Sequence, residues 1–243
     1  MTNKDKKDSL GNRMKKYEHV AKHQLMPRSC VIIRVDGRAF HTYTKGMDSP
    51  FDYKLSQGMI YAAERTAEDI QGFKVAYIQS DEASFLITDF DSIETQGWFD
   101  YDLEKMVSIS ASTFSVYFNH FMWDRTDISR NKKPTFDSRA FNIPLEDVPN
   151  YFLWRAKDWE RNSLSMYART VFSSKQLFGK NKSMIHEMLH SVGKNWTKDL
   201  TPLQKNGCFI LKVDESSRFI LRDNVEPHYP QMCEVVEMAV EQY

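Results

Sequence analysis

Residues 30–41 read C-V-I-I-R-V-D-G-R-A-F-H, and residues 75–88 read V-A-Y-I-Q-S-D-E-A-S-F-L-I-T. The first stretch is a nearly continuous β-branched run stopped by Asp36-Gly37, the pattern of a buried strand that ends in a tight turn with Asp36 at its end. The second splits into two short strand-like runs, 75–79 and 83–88, separated by Ser80-Asp81-Glu82, the spacing of a hairpin with an acidic pair at its tip. One strand and one hairpin that each carry acid at one end decide what the rest of the chain has to build.

Between them, apolar residues recur at Leu55, Met59, Ala62, Ala63, Thr66 and Ile70. That stripe is helical, begins after Asp52 and stops before Gly72. A second helix is expected over 101–123, with its stripe at Leu103, Val107, Phe114, Phe118 and Phe121, and a fourth strand over 136–143 (F-D-S-R-A-F-N-I), closed by Pro144. Strand, helix, hairpin, helix, strand is the order of a ferredoxin-like split βαβ fold, an α+β architecture in which helices cover one face of an antiparallel sheet. Helical spacing over 151–172 and 182–193, with a final strand pair at 207–213 and 219–221, makes the remainder a mostly helical C-terminal extension. We therefore expect a catalytic core over 1–145 and an extension over 146–243 packed on it as one globular unit.

A chain of 243 residues that is 41% hydrophobic has enough apolar surface for a sizeable core. Lys plus Arg (33) balance Asp plus Glu (33), so any site for a polyanion must come from local clustering. One such cluster is the stretch 124–137, holding Arg125, Arg130, Asn131, Lys132, Lys133 and Pro134. Cys30, Cys208 and Cys233 are odd in number and lack metal-site spacing, which suits a reducing, cytoplasmic location. Residues 1–16 are polar and rich in lysine, and no apolar run reaches signal-peptide or membrane length, so the expected protein is neither secreted nor membrane-spanning.

The inferred topology brings Asp36, Asp81 and Glu82 to adjacent positions on one edge of the sheet. Carboxylates held together repel unless a cation neutralises them, and hard oxygen donors favour Mg²⁺. Two such ions about 4 Å apart would activate an attacking hydroxyl and stabilise a leaving phosphate oxygen, the arrangement of phosphoryl transfer. The plainer alternative is that Asp-Gly and Ser-Asp-Glu are ordinary turn residues. Around Asp36, residues Arg34 to His41 supply a glycine, backbone N–H groups and two guanidinium groups suited to a triphosphate. Lys105, Arg139 and the basic stretch would add positive charge facing the same phosphates or a nucleic-acid backbone.

Arg34-Val35-Asp36-Gly37-Arg38-Ala39-Phe40-His41 and Gln79-Ser80-Asp81-Glu82-Ala83-Ser84-Phe85 closely resemble the two signature motifs of the tRNA-His guanylyltransferase family. Phe136-Asp137-Ser138-Arg139, Trp154-Arg155, Asp158, Asn162, Gly193, Asn195 and Lys205-Asn206-Gly207 extend the likeness over most of the chain. The resemblance implies a polymerase-palm core that adds nucleotides to the 5′ end of tRNA in the 3′–5′ direction. ATP or GTP activates a 5′-monophosphate, the 3′-hydroxyl of an incoming NTP attacks the activated end, and pyrophosphate is removed. It also implies two Mg²⁺ ions held by Asp36, Asp81 and the Gly37 carbonyl, with Glu82 completing a catalytic acidic cluster. Arg38, Ala39, Phe40, His41 and Ser80 would lie against the nucleotide, and the assembly would be a homotetramer.

Two departures bear on substrate. Eukaryotic members carry His-Ile-Asn-Asn-Leu-Tyr-Asn where this chain reads Glu160-Arg161-Asn162-Ser163-Leu164-Ser165-Met166, which resembles the guanylyltransferase-like branch that repairs 5′-truncated tRNA against a template. A lysine that often precedes Pro-Asn-Asp in the family is absent at Ser49-Pro50-Phe51-Asp52. Three rival readings accompany this one. His186-Glu187-Met188-Leu189-His190 matches a zinc-peptidase helix, although Trp196 stands where a further histidine ligand would be needed. A nucleotidyl cyclase would use the same layout. A catalytically inert RNA-binding sheet would stack bases on Tyr77 and Phe85.

Overall fold

The computed structural model describes residues 9–123, 132–212 and 219–240. A first helix, α1 (Ser9–Val20), precedes strand β1 (Cys30–Gly37). A short helix α2 (Phe40–Tyr43) and the long α3 (Tyr53–Asp69) lead to the hairpin β2 (Phe73–Gln79) and β3 (Glu82–Ile87). Helix α4 (Leu103–Trp123) and strand β4 (Phe136–Ile143) complete the expected order. Asp52 caps α3, its side chain accepting from the Leu55 N–H at 2.9 Å, which is why the helix starts there.

The C-terminal part begins with α5 (Val148–Ala168) and continues through α6 (Ser174–Leu177), α7 (Lys182–Ser191), α8 (Trp196–Asp199) and α9 (Pro202–Asn206). Strands β5 (Cys208–Lys212) and β6 (Phe219–Arg222) and the final helix α10 (Tyr229–Val240) follow. The sheet order is β4-β1-β3-β2-β5-β6, with every neighbouring pair antiparallel. The α+β, split βαβ expectation is met, and the late strand pair joins the same sheet by pairing β5 with β2.

Strand alternation sends two sets of side chains to two faces. Val31, Ile33, Val35, Ala76, Ile78, Phe85 and Ile210 pack with Met59, Ala63, Phe114 and Phe118 under α3 and α4. On the other face Ile32, Val75, Tyr77, Leu86 and Phe209 pack with Phe152 and Ala156 of α5 and Met232, Val235 and Val236 of α10. Tyr77 and Phe85, 1% and 0% exposed, therefore lie in two opposite core layers, and neither ring is open to stack a base.

Gly37 closes β1 where the Phe40 ring returns under the strand end. A Cβ built on Gly37 would sit 2.3 Å from Phe40 Cδ2, and Phe40 is itself wedged against Tyr43, Phe118 and Phe136. Gly37→Ala must displace that ring from a packed aromatic cluster. We expect it to lower stability by about 1–3 kcal/mol, read as a lower urea midpoint with an unchanged slope; an unaltered midpoint would show that the cluster yields freely.

Candidate active site

The β1–β3 register places Asp36 opposite Glu82, and the Gly37 N–H donates to the Asp81 carbonyl at 2.9 Å. Gln79 pairs with Glu82, leaving Ser80 and Asp81 as a two-residue turn in which Ser80 adopts a left-handed φ of 48°. Asp36 and Asp81 thus meet at one end of the sheet, as the sequence led us to expect. On the other flank of β1, Asp137 stands opposite Asp36 and Arg139 opposite Arg34. Directly opposed like charges destabilise an antiparallel pair unless something neutralises them.

Glu82 behaves differently from its neighbours. Its Oε1 accepts from Arg155 Nε and its Oε2 from Arg155 Nη2, both at 2.7 Å, in a buried two-pronged ion pair between β3 and α5. Burial pushes the Glu82 carboxyl up and the guanidinium pulls it back. Arg155 also reaches Asp158, which in turn holds Arg161 at 2.8 Å. The three carboxylates of the expected cluster thus stand in different surroundings: Glu82 is engaged by Arg155, whereas Asp36 and Asp81 have no cationic side chain in contact among the described residues.

Burial raises the Asp36 carboxyl above the ordinary carboxylate range and the facing Asp137 adds to this, while Arg34, Arg139 and Arg155 oppose it. Asp81 is raised mainly by burial; the Ser80 hydroxyl and its own backbone pull it down, and Asp36 pushes it up. Among the described residues no group of three or more His, Cys, Asp or Glu side chains is placed to hold an ion. Mg²⁺ is commonly bound by one or two carboxylates, with waters and substrate phosphates completing its shell. Two strained carboxylates of this kind fit such an ion when it arrives with a nucleotide.

Asp81 lies on the wall between two cavities. One, of about 460 Å³, is largely apolar and lined among others by His41, Met47, Phe51, Leu55, Ser80 and Trp159. The other, of about 390 Å³, is polar and lined by Asp36, Glu82, Arg155, Asp158, Asn162 and Arg169. Gln79 and Trp159 border both, and the Gln79 Oε1 and Trp159 Nε1 atoms are buried without hydrogen-bond partners. Arg38 and Ala39 are exposed and line neither cavity, His41 lines the apolar one, and the Phe40 ring belongs mainly to the core. The N–H groups of Gly37 and Arg38 are taken by Asp81 and Thr135, so the free donors of this turn lie further on, at the start of α2.

Some expected residues lie elsewhere. Lys105 is in the first turn of α4, beside Asp102 and Glu104 and near Lys22. Ser115, whose Oγ accepts from the Phe136 N–H beside Gly37, is ten residues further along that helix, roughly 15 Å away. Lys105 therefore points at a different end of the molecule. Arg139 shares the face of Asp36 and holds Asp137 at 3.0 Å. Of the basic stretch, Arg125, Arg130 and Asn131 lie outside the described residues, and Lys132 Nζ donates to the Thr42 carbonyl at 2.8 Å. The zinc reading finds no support: the His186 ring packs edge-on against buried Trp196, and the described residues supply no third ligand.

A family model described as Thg1: tRNAHis guanylyltransferase matches residues 11–144, more than half of the chain. The chain belongs to the tRNA-His guanylyltransferase family. Members of that family are nucleotidyltransferases. Among solved structures, a bacterial tRNA(His) guanylyltransferase (Thg1)-like protein in complex with ATP is 38% identical, with a TM-score of 0.88 over 95% of this chain and 99% of that one. A bacterial Thg1-like protein in complex with GTP is 34% identical, with a TM-score of 0.80 over 96% and 100%. The tRNA(His) guanylyltransferase of Debaryomyces hansenii is 32% identical over 146 residues, 58% of this chain and 53% of that protein. The chain thus spans about half the length of that guanylyltransferase. Arg155, Asp158 and Asn162 line the polar cavity and Asp137 of β4 faces Asp36, positions to which the sequence alone assigned no role.

The raised Asp81 carboxyl links the site to pH. A carboxyl with a folded pKa above its unfolded value loses stability as pH rises from the unfolded value through the folded one, and the penalty is full at neutral pH. Asp81→Asn removes that penalty. We expect the variant, without added metal, to melt about 2 °C higher than the parent at neutral pH, and the gain to vanish below the ordinary carboxylate range. Added Mg²⁺ should raise the melting temperature of the parent more than that of the variant. A variant that is less stable at neutral pH would contradict the strained-pair account.

Proposed function

We propose that this chain adds nucleotides to the 5′ end of tRNA in the 3′–5′ direction, by template, as in repair of 5′-truncated tRNA. The observation that carries the reading is the placement of Asp81 on the wall between an apolar cavity and a charged one, with Asp36 lining the charged one. An enzyme of this kind needs one place for a nucleoside, one for an RNA end and its phosphates, and charge control where the two meet.

The apolar cavity suits a nucleobase and ribose, with Phe51, Met47 and Leu55 as walls; its volume falls within the ordinary range for small-molecule sites. The orphaned Gln79 Oε1 supplies an acceptor at its inner end for a base amino group. His41 and Ser80 stand at the rim, beside Asp81, where a triphosphate leaving the cavity would pass. Mg²⁺ ions, two in this reading, would be held by Asp36, Asp81 and the Gly37 carbonyl and would lower the pKa of an attacking 3′-hydroxyl while offsetting charge on the leaving phosphate. Arg155 occupies both oxygens of Glu82, which leaves Asp36 and Asp81 as the carboxylates without a cationic side chain in contact among the described residues. The RNA 5′-monophosphate attacks the α-phosphorus of ATP or GTP and expels pyrophosphate, the 3′-hydroxyl of the incoming NTP attacks the activated 5′-phosphorus and expels AMP or GMP, and water removes pyrophosphate from the new 5′-triphosphate end. The bacterial relatives described above were solved with ATP and with GTP, which supports a nucleotide in this fold. The free, separated cysteines accord with work in the cytoplasm, and the family resemblance favours a homotetramer.

The test is extension of 5′-truncated, 5′-phosphorylated tRNA with ATP, all four NTPs and Mg²⁺, using opposite strands that are complementary or mismatched. Product lengthened only up to the template end is expected, with Asp36→Ala and Asp81→Ala at least a thousandfold slower. Cyclic nucleotide in place of extended RNA would transfer the site to the cyclase reading, and a single guanosine added whatever the opposite base would replace templated repair by fixed addition.

A further inference from the structure

The face of β1 and β4 beyond α5 is open, and one aromatic side chain overhangs it. Trp154 of α5 is 53% exposed, although its neighbours in the helix, Phe152 and Arg155, are buried. Its ring is held from three sides: the Arg155 guanidinium carbon lies 4.6 Å from its centroid, the Arg34 guanidinium carbon 6.0 Å, and the Tyr151 ring meets it edge-on at 5.9 Å. A large flat apolar surface that is fixed in place and left in solvent is costly unless a partner covers it.

Positive charge surrounds that ring. The Arg34 side chain makes no hydrogen bond or close ion pair among the described residues, and its Nε is buried without a partner, so its stem is fixed; its charge acts on Asp36 and Glu82 without touching either. Arg139, the cross-strand partner of Arg34, is half exposed and held only by exposed Asp137, a pair of little net strength that an incoming phosphate would displace. Asp36 lies two residues along the same strand face from Arg34. A stacking surface with two guanidinium groups between it and the reactive carboxylate matches the end of an RNA strand: a terminal base with its 5′-phosphate.

We propose that Trp154 stacks on the terminal base of the RNA acceptor and that Arg34 and Arg139 hold its 5′-phosphate beside Asp36. This rests on the proposed nucleotidyl transfer for its purpose and specifies where the RNA end sits. Acidic or apolar protein partners suit the patch less well, because Arg155 under the ring and Asp36 beside Arg34 both line the charged cavity, which places the patch next to it.

The full-length chain is titrated, without NTP, with a short blunt RNA hairpin bearing a 5′-monophosphate and with the same hairpin bearing a 5′-hydroxyl. Affinity and tryptophan emission are read together. Wild-type protein should prefer the phosphorylated hairpin and show quenched emission. Trp154→Phe should abolish most of the quenching yet bind within roughly threefold of wild type, because phenylalanine still stacks; Trp154→Ala should bind roughly ten- to a hundredfold more weakly. Arg34→Gln should remove the preference for the 5′-phosphate. Unchanged affinity in Trp154→Ala, quenching that persists in Trp154→Phe, or a phosphate preference that survives Arg34→Gln would each overturn the proposal. Binding that depends on Trp154 in a protein unable to extend RNA would refute nucleotidyl transfer alone, and extension with binding indifferent to Trp154 would refute this platform alone.

Discussion

One backbone hydrogen bond, from the Gly37 N–H to the Asp81 carbonyl, fixes how the end of β1 meets the tip of the β2–β3 hairpin. Because side chains alternate along a strand, a slip of one residue would send Asp36 to the α3 and α4 core and Val35 to the site. The register is held by apolar layers on both faces, with Val31, Ile33 and Val35 to one side and Ile32 to the other. The hydrophobic core therefore sets the position of two carboxylates whose burial, with the nearby Asp137, opposes their being ionised there. Folding energy from burial holds a local strain that a cation and a nucleotide would relieve.

The second determinant is α5. Its first half completes the core through Phe152 and Ala156, and its middle contributes Arg155, Asp158 and Trp159 to the site. The Arg155–Glu82 pair ties this helix to the strand that follows Asp81. Breaking one half of such a buried pair leaves an uncompensated charge and commonly costs 3–5 kcal/mol, so the pair also fixes the distance between helix and hairpin. The same helix thus borders both cavities, through Trp159 and Met166, and carries exposed Trp154.

Much of this was legible in the sequence. Apolar runs at 30–35 and 75–88 announced the central strands, and the Ser80-Asp81 turn announced the hairpin, since these signals are local. The pairing of Arg155 with Glu82 was not legible, because it joins groups 73 residues apart and depends on which side of α5 faces the sheet. Lys105 was misplaced for a related reason: a helical stripe shows which face is buried but not which helix end approaches the site. The stripe Met232, Val235, Val236 and Ala239 that makes α10 a core helix was present in the sequence, yet nothing local tied it to the second face of the sheet. Asp137, Arg155 and Asp158 entered the sequence reading only as separate points of resemblance; the fold brings Asp137 and Arg155 to the two flanks of the Asp36–Glu82 pair, from β4 and α5.

The central claim is that Asp36 and Asp81, without Glu82, form the cation-binding pair. Anomalous scattering from crystals soaked with Mn²⁺ and a non-hydrolysable nucleoside triphosphate tests it directly. The account predicts metal peaks at coordination distance from the Asp36 and Asp81 carboxylates, with both oxygens of Glu82 still bonded to Arg155. Metal ligated by Glu82 with Arg155 turned away, or no metal at Asp36 and Asp81, would contradict it.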